Sequence, residues 1–479
     1  MATGGAPEPE EETAVVFPDW VMLGRHGRTR CHNGLDAARV AVNKNKTAAP
    51  LDMNGGPSCY VSFTLAAPPK GVSYLNVHWP EEQGSAVSPA YAYIRAADKD
   101  LVLFDISTPS QTDSYLVPPD LFVYTAAGSS PSVQRLPPFT RKRGRAFLMG
   151  NLPTGILRLK EQDRYIVAEL NVTGNNSMPA ELCVFNSGTG KWKIIHKPQL
   201  LDLDQSNGSQ FFHLWSTHHM LAFDGRFLCW VDYFSGVLLC DFSTIDSPAL
   251  RFVPFPGEND YHNEVRLESR YPEKYRSVSV SQGKMRFVHI DNDYHDRIHD
   301  RSRWIPQIPE RKRRQQQTRQ RITIWTLNSE FRWELHRMIN LDCLWAQRGY
   351  EALGIPQRLP EFPFVSPDDP DVLCCLLTEE EFRGKAWTIM VDMNHAFMRS
   401  CTSYCIKCAD AECGCVDDRH AFPPYVHLLP TVFSKYLESP TAQPWCFHAV
   451  PVENHYSCIG MSLIRYNSCT RAVPKYKSF

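Results

Sequence analysis

The chain has 479 residues, 43% of them hydrophobic and 22% charged, with a formal net charge of -1. That length suits one large β domain or two to three ordinary ones. The near-neutral balance argues against a chain that works mainly by long-range attraction to nucleic acid or to an anionic membrane.

The first stretch, Met1 to Glu12, is small, acidic and proline-containing. It lacks the basic and then apolar run of a secretory signal. No run of about 18 apolar residues occurs that would span a bilayer. The expected location is therefore cytoplasmic and/or nuclear, with the 16 cysteines held mostly as reduced thiols. Residues 1–16 read as a disordered acidic tail, and Asp36–Pro57, rich in Asn, Lys and Gly, reads as a long loop.

From Ser58 onwards strand patterns dominate. Cys59–Leu65, Tyr74–Trp79, Tyr91–Arg95 and Leu101–Ile106 are expected strands, the last two joined by a turn at Ala97–Asp100. Tyr165–Leu170, Leu182–Phe185 and Lys191–Ile195 follow. The last pair flanks Asn186–Gly190, whose Asn and Gly accept the positive φ of tight hairpins.

His218–Pro256 gives the clearest unit. A strand ends at Phe223, Asp224-Gly225 turns the chain, and Arg226–Asp232, Val237–Phe242 and Leu250–Phe255 complete a four-stranded meander. Phe227, Cys229 and Val231 alternate with Leu228 and Trp230, so the second strand is apolar on both faces, as a sheet covered on both sides requires. Tyr275–Val280, Met285–Asp291, Ile322–Leu327 and Phe331–Leu335 repeat the plan around a polar, basic insertion. A further unit holds Val372–Leu377, Ala386–Asp392 and Ala396–Ser400. Helix is expected only at Leu341–Tyr350 and Leu429–Leu437.

One phrase recurs through these units: a Gly turn, a basic residue, an apolar run and then Asp. It stands at Met220–Asp232, Gln282–Asp291 and Arg383–Asp392. A supersecondary unit recurring at roughly 50-residue intervals or multiples marks a repeat architecture. The expected fold is all-β, a β-propeller-like array of four-stranded antiparallel meanders over residues 17–400. Residues 292–320 form a basic disordered insertion within it, and residues 401–479 a short irregular or helical, cysteine-rich C-terminal extension.

Three phrases, Phe17–Leu23, Phe227–Asp241 and Leu250–Pro256, resemble a plant family, expanded in grasses, called "domain of unknown function 1618". The resemblance covers roughly Phe17 to Ser400. It implies a domain similar to the propeller-like modules that follow F-boxes in ubiquitin-ligase adaptors, and it brings no established activity. No recognisable F-box precedes the repeats here.

Several residue groups are candidates for chemistry. Cys405, Cys408, Cys413 and Cys415, beside Cys401 and His420, could offer four thiolates to one tetrahedral zinc. Their pairs lie closer together than in common zinc ribbons, and the plain alternative is a loop of reduced thiols. Otherwise no cofactor is expected. Arg311, Lys312, Arg313 and Arg314, continuing to Arg319 and Arg321, resemble a nuclear-targeting patch, with a shorter partner at Arg141–Arg145. The alternative is solvated charge. Asp291, Asp293, His295, Asp296, His299 and Asp300 form an acid/histidine stretch ahead of that loop, which lacks the rigid support a catalytic site needs. His218 and His219 begin a strand and are expected to pack.

No phosphate-cradling loop, nucleophile elbow or metalloprotease helix is present. The function expected from the sequence is a non-catalytic protein–protein interaction scaffold with a protein partner, outside the membrane. The alternatives are an enzyme with dispersed loop residues and a nuclear protein that uses Trp304 and the arginines on nucleic acid. A polar cavity at the propeller mouth holding groups of shifted pKa would favour the enzyme. An apolar patch on the rim would favour a protein partner.

Overall fold

Strands that are apolar on both faces need covering sheets on both sides, and a ring of sheets supplies them. In the computed structural model, six four-stranded sheets follow one another among the described residues, with a two-stranded pairing added. The structure describes residues 16–53, 57–81, 91–107, 120–139, 153–160, 163–175, 178–196, 198–201, 211–212, 215–256, 272–291, 320–347, 350, 353–378, 385–405 and 428–437. All of them fall in one compact unit, Met1–Thr441.

Five sheets are plain antiparallel meanders in chain order. Counting the N-terminal sheet, β2 to β5, as blade 1, blade 2 holds β6 (Tyr91–Asp98), β7 (Leu101–Ser107), β8 (Asp120–Thr125) and β9 (Ser132–Arg135). Blade 3 holds β10 (Thr154–Arg158), β11 (Tyr165–Asn175), β12 (Met178–Asn186) and β13 (Lys191–His196). Blade 4 holds β14 (His219–Phe223), β15 (Phe227–Asp232), β16 (Gly236–Asp241) and β17 (Ala249–Pro254). Blade 5 holds β18 (Arg276–Ser281), β19 (Lys284–Ile290), β20 (Arg321–Leu327) and β21 (Trp333–Asn340). Blade 6 holds β22 (Glu361–Val365), β23 (Val372–Thr378), β24 (Lys385–Asp392) and β25 (Phe397–Cys405).

Blade 1 is built differently. Its four strands are β2 (Arg28–Asn33), β3 (Ala49–Asp52), β4 (Ser58–Thr64) and β5 (Tyr74–Glu81), preceded by β1 (Val21–Gly24), which lies outside that sheet. The order is β2-β5-β4-β3, and β2 pairs with β5 in parallel. The chain then closes on itself: β26 (Leu428–Thr431) pairs antiparallel with β1, from Val21↔Thr431 to Gly24↔Leu428.

The core lies between blades as separate buried clusters, one at each junction. Val61, Val77, Ile94 and Phe104 join blades 1 and 2. Leu103, Val123, Ile156 and Val167 join blades 2 and 3. Ala168, Leu182, Leu228 and Trp230 join blades 3 and 4. Cys229, Val231, Val278 and Phe287 join blades 4 and 5. Ile322, Ile324, Leu373 and Val391 join blades 5 and 6. Trp20, Met22, Val372 and Cys374 join blade 6 to the β1 segment, whose Val21 and Leu23 pack in turn with Val61 and Val77 of blade 1. The ring is therefore closed. The alternation read in β15 divides as expected: Leu228 and Trp230 face blade 3, and Phe227, Cys229 and Val231 face blade 5.

The turn chemistry also follows the sequence. Asp224 and Gly225 have φ of 53° and 63°, and Gln282 and Gly283 have φ of 45° and 73°. Two successive positive φ values give the turn whose twist matches a hairpin. Two of the three aspartates that end the repeated phrase tie the opposite turns. Asp232, fully buried, accepts from Phe234 N at 3.0 Å and from the Ser235 hydroxyl at 3.0 Å. Asp392 accepts from Asn394 N at 2.9 Å and His395 N at 3.0 Å. Arg383 and Gly384 lie outside the described residues.

Three expectations are corrected. The segment read as a loop over Asp36–Pro57 contains α1 (Leu35–Val42) and the strand β3. Ala38 and Val42 are buried four residues apart, and Asp36 pairs with Arg39 one turn on at 3.0 Å. In β3, Ala49 and Leu51 are buried between exposed Pro50 and Asp52, and proline is tolerated because this strand is an outer edge. The helix expected at Leu429–Leu437 is instead β26 followed by a single 3-10 turn, Phe433–Tyr436. Pro430 cannot donate inside a helix and sits in a strand paired on one side. The helix at Leu341–Tyr350 is shorter than expected: α2 (Leu341–Trp345) is capped by the Asn340 side chain, which accepts from Asp342 N at 3.0 Å.

Candidate functional site

Ring closure leaves an axial cavity of about 410 Å3. Its wall is made by the first strands of blades 2, 4, 5 and 6 together with β26. Much of this wall is apolar: Met220, Leu221, Val278, Val280, Phe364 and Leu429.

Charged and polar groups collect where β14 and β18 begin. Arg25, in the link between β1 and β2, is 5% exposed. Its Nη1 donates to the carbonyls of Ile94, at 3.1 Å, and Arg95. Its Nε has no acceptor among the described residues. Burial lowers its pKa, opposed by the Tyr93 and Tyr233 phenols. Tyr233 is buried, and burial pushes its phenol well up. Arg276 donates to the Tyr233 carbonyl at 2.7 Å and to His289 Nδ1 at 3.2 Å. Burial brings Arg276 down to about 9, against the opposing pull of Asp232.

Glu273 stands in the 3-10 turn Pro272–Lys274 that leads into β18. Burial raises its carboxyl to about 7, the local backbone offsetting part of the rise. The next residue, Lys274, is engaged by Glu361 at 3.0 Å. His218 Nδ1 accepts from Tyr233 N at 3.3 Å and lies 3.5 Å from Asp232. His218 and His219 were expected only to pack. Both line the cavity, with ring contacts to Tyr233.

A second polar group lines the cavity at the far end of β6. Asp98 accepts from Arg158 N at 2.7 Å, and burial raises its pKa to about 6. Lys99 and Tyr436 lie beside it. These groups hold blade 2 to blade 3: Arg158 Nε also donates to Asp100 at 2.9 Å.

Outside the cavity, blade 1 carries a chain of hydrogen bonds. The Ser62 hydroxyl meets His78 Nε2 at 2.9 Å, and His78 Nδ1 meets His32 Nε2 at 3.0 Å. Burial, then His32 and Arg30, brings His78 down to about 4. Ser62 is 1% exposed, so no substrate reaches its oxygen and the group works as a buried polar network.

The sequence-derived candidates are placed as follows. Cys405 ends β25, while Cys408, Cys413, Cys415 and His420 lie outside the described residues. Among the described residues, no three His, Cys, Asp or Glu side chains gather as a metal group. Asp291 pairs with Arg321 at 2.6 Å and with His289 at 3.5 Å. Asp293, His295, Asp296, His299, Asp300, the run Arg311–Arg314 and Arg141–Arg145 lie outside the described residues. Nine described cysteines are free thiols, including the adjacent pair Cys374 and Cys375, which face opposite junctions. Among the described residues, no helix is long and apolar enough to cross a membrane.

Arg25 and Glu273 escaped the sequence reading because neither belongs to a motif. The only signal at Arg25 is its place directly after the apolar run Val21–Gly24.

A family model described as "Protein of unknown function (DUF1618)" matches residues 230–374. Over that stretch the chain is similar to this family. The matched stretch runs from within β15 into β23 and carries Tyr233, Glu273 and Arg276. Arg25 lies outside it, as does the Phe17–Leu23 phrase. No curated protein matches the chain.

Proposed function

We propose that the protein is a non-catalytic scaffold that binds another protein at the outer edge of blade 5. One observation carries this reading: Leu335 and Met338, on β21, are 59% and 50% exposed. They pair with Trp325 and Thr323, and the register shifts by one residue between those pairs. The extra residue returns Met338 to the face that Leu335 occupies, so the two apolar side chains form one patch. As the last strand in its sheet, β21 offers a backbone edge that an extended segment can join as a further strand. Arg332 and Arg337 flank the patch, which suits a partner segment mixing apolar and acidic residues.

The test is affinity purification with wild type and a Leu335→Asp/Met338→Asp variant of unchanged circular dichroism. Proteins that bind wild type through this edge should be lost from the variant. An identical set of co-purifying proteins from both would remove the support.

A second reading, catalysis by dispersed loop residues, is favoured by the carboxyl of Glu273 held near neutrality inside the axial cavity. Turnover of a small molecule that falls with Glu273→Gln, the fold intact, would establish it over the scaffold.

A further inference from the structure

We infer that the mouth of the axial cavity binds a small organic acid, its carboxylate on Arg25 and its apolar body along β14, β18 and β22.

The first support is the state of Arg25. A buried guanidinium is costly unless an anion and hydrogen-bond acceptors compensate it. Among the described residues no carboxylate lies within ion-pair distance of Arg25. Only Nη1 is engaged, by two backbone carbonyls that fix the plane of the group. Nε has no acceptor among the described residues but is closed off by its surroundings, whereas Nη2, for which the described residues also supply none, is the donor left open to the cavity. A carboxylate oxygen in the cavity can accept from Nη2, a charge-assisted hydrogen bond stronger than a neutral one.

The second support is the rest of the wall. The cavity, at about 410 Å3, is in the range that encloses a small-molecule ligand. Met220, Leu221, Val278, Val280 and Phe364 give it an apolar surface. Such a wall suits a ligand with one charged end and an apolar body better than a small, fully hydrated phosphate dianion.

The third is the sign of the neighbours. Arg276 adds a second guanidinium to the same wall. Two carboxyls line this cavity, Glu273 and Asp98, neither with an ion-pair partner among the described residues, and Glu273 interacts with the same Tyr233 that faces Arg25. Glu273 therefore opposes an anion there, and removing its charge should strengthen binding.

Isothermal titration calorimetry on the full chain at pH 7.5 tests this, with 3-phenylpropionate, the matched alcohol 3-phenylpropan-1-ol and inorganic phosphate as probes. The acid should bind saturably at one site, with the alcohol and phosphate much weaker. Arg25→Met should weaken the acid by at least about 30-fold, the scale of leaving one partner of a buried charge pair unmatched. Glu273→Gln should tighten it by about threefold, the scale of one partly solvated charge contact. Leu335→Asp should leave it unchanged, so this site and the proposed partner edge fail or stand separately.

Four results would overturn the inference. They are no saturable binding of the acid, equal binding of the alcohol or of phosphate, unchanged affinity in Arg25→Met, and no gain in Glu273→Gln. Should Arg25→Met fail to fold, the gain in Glu273→Gln and the acid-over-alcohol preference still decide the matter.

Discussion

Acidification between pH 7.5 and 5 should destabilise this protein through His78, and the size of the effect follows from its surroundings. His78 is 6% exposed and hydrogen-bonded at both ring nitrogens, to Ser62 and His32. A neutral imidazole satisfies both contacts with one proton, donating on one side and accepting on the other. A second proton would place charge in a buried site, beside His32 and Arg30, and so His78 titrates near 4. In the unfolded chain it titrates at about 6.5. The folded state thus binds fewer protons between those values. The stability is fully present above about 6.5, declines as pH falls, and levels off below the folded value of about 4.

At pH 5 a shift of this size corresponds to about 2 kcal/mol, and partial solvent screening reduces it to about 1–2 kcal/mol. That is a substantial share of a net stability of about 5–15 kcal/mol. The assay is urea denaturation at pH 7.5 and 5 on wild type and His78→Gln, since glutamine keeps hydrogen-bonding capacity and does not titrate. The variant is expected to lose less stability between the two pH values, by about 1–2 kcal/mol. Equal losses would refute the assignment of the acid sensitivity to His78, whatever the variant's stability at pH 7.5.

Trp230 fills the junction of blades 3 and 4, is fully buried, and donates its indole N–H to the Pro153 carbonyl at 2.7 Å. Trp230→Ala should cost about 3–5 kcal/mol in urea denaturation, and Trp230→Phe clearly less. Burial alone would raise the Asp392 pKa, but bonds from Arg399, His395 and Asn394 outweigh it and hold the carboxyl at about 2. Its contribution is present above about 4 and lost as pH falls through the folded value, so Asp392→Asn should flatten the acid-unfolding curve between pH 4 and 2. On sequence grounds alone, Arg311, Lys312, Arg313 and Arg314 are proposed to direct nuclear entry. Replacing the four with Ala should move a fluorescent fusion towards the cytosol, and an unchanged distribution would leave the run as solvated charge.

Blades 4 and 5 were legible because their information is local. In β15, two apolar sets alternate over six residues, and each set packs on a different neighbour. The hairpins at Asp224-Gly225 and Gln282-Gly283 are written in residues that tolerate positive φ. Short or polar strands gave less. In β9, only Val133 is even partly covered, so the strand shows no clear alternation. The exposed patch on β21 was hidden by its bulge, because a one-residue shift breaks the period on which strand reading depends.

Blade 1 was illegible for a different reason, and the same reason hid the axial site. Its pairing of β2 with β5 is parallel and spans a helix and two other strands, so no turn motif announces it. Its closing partner, β26, comes from some 400 residues away and holds Pro430, which argues locally only against helix. Long-range pairings of this kind are specified by complementary surfaces rather than by local propensity. The cavity inherits that property, since Arg25, His218, Glu273 and Tyr436 reach it from four separate parts of the chain. Each looks ordinary alone: an arginine after a strand, a histidine before one, a glutamate in a turn, a tyrosine near a proline-rich end. What distinguishes Arg25 is that, among the described residues, no carboxylate pairs with it once the ring has closed, a property of the assembled ring and of no sequence window.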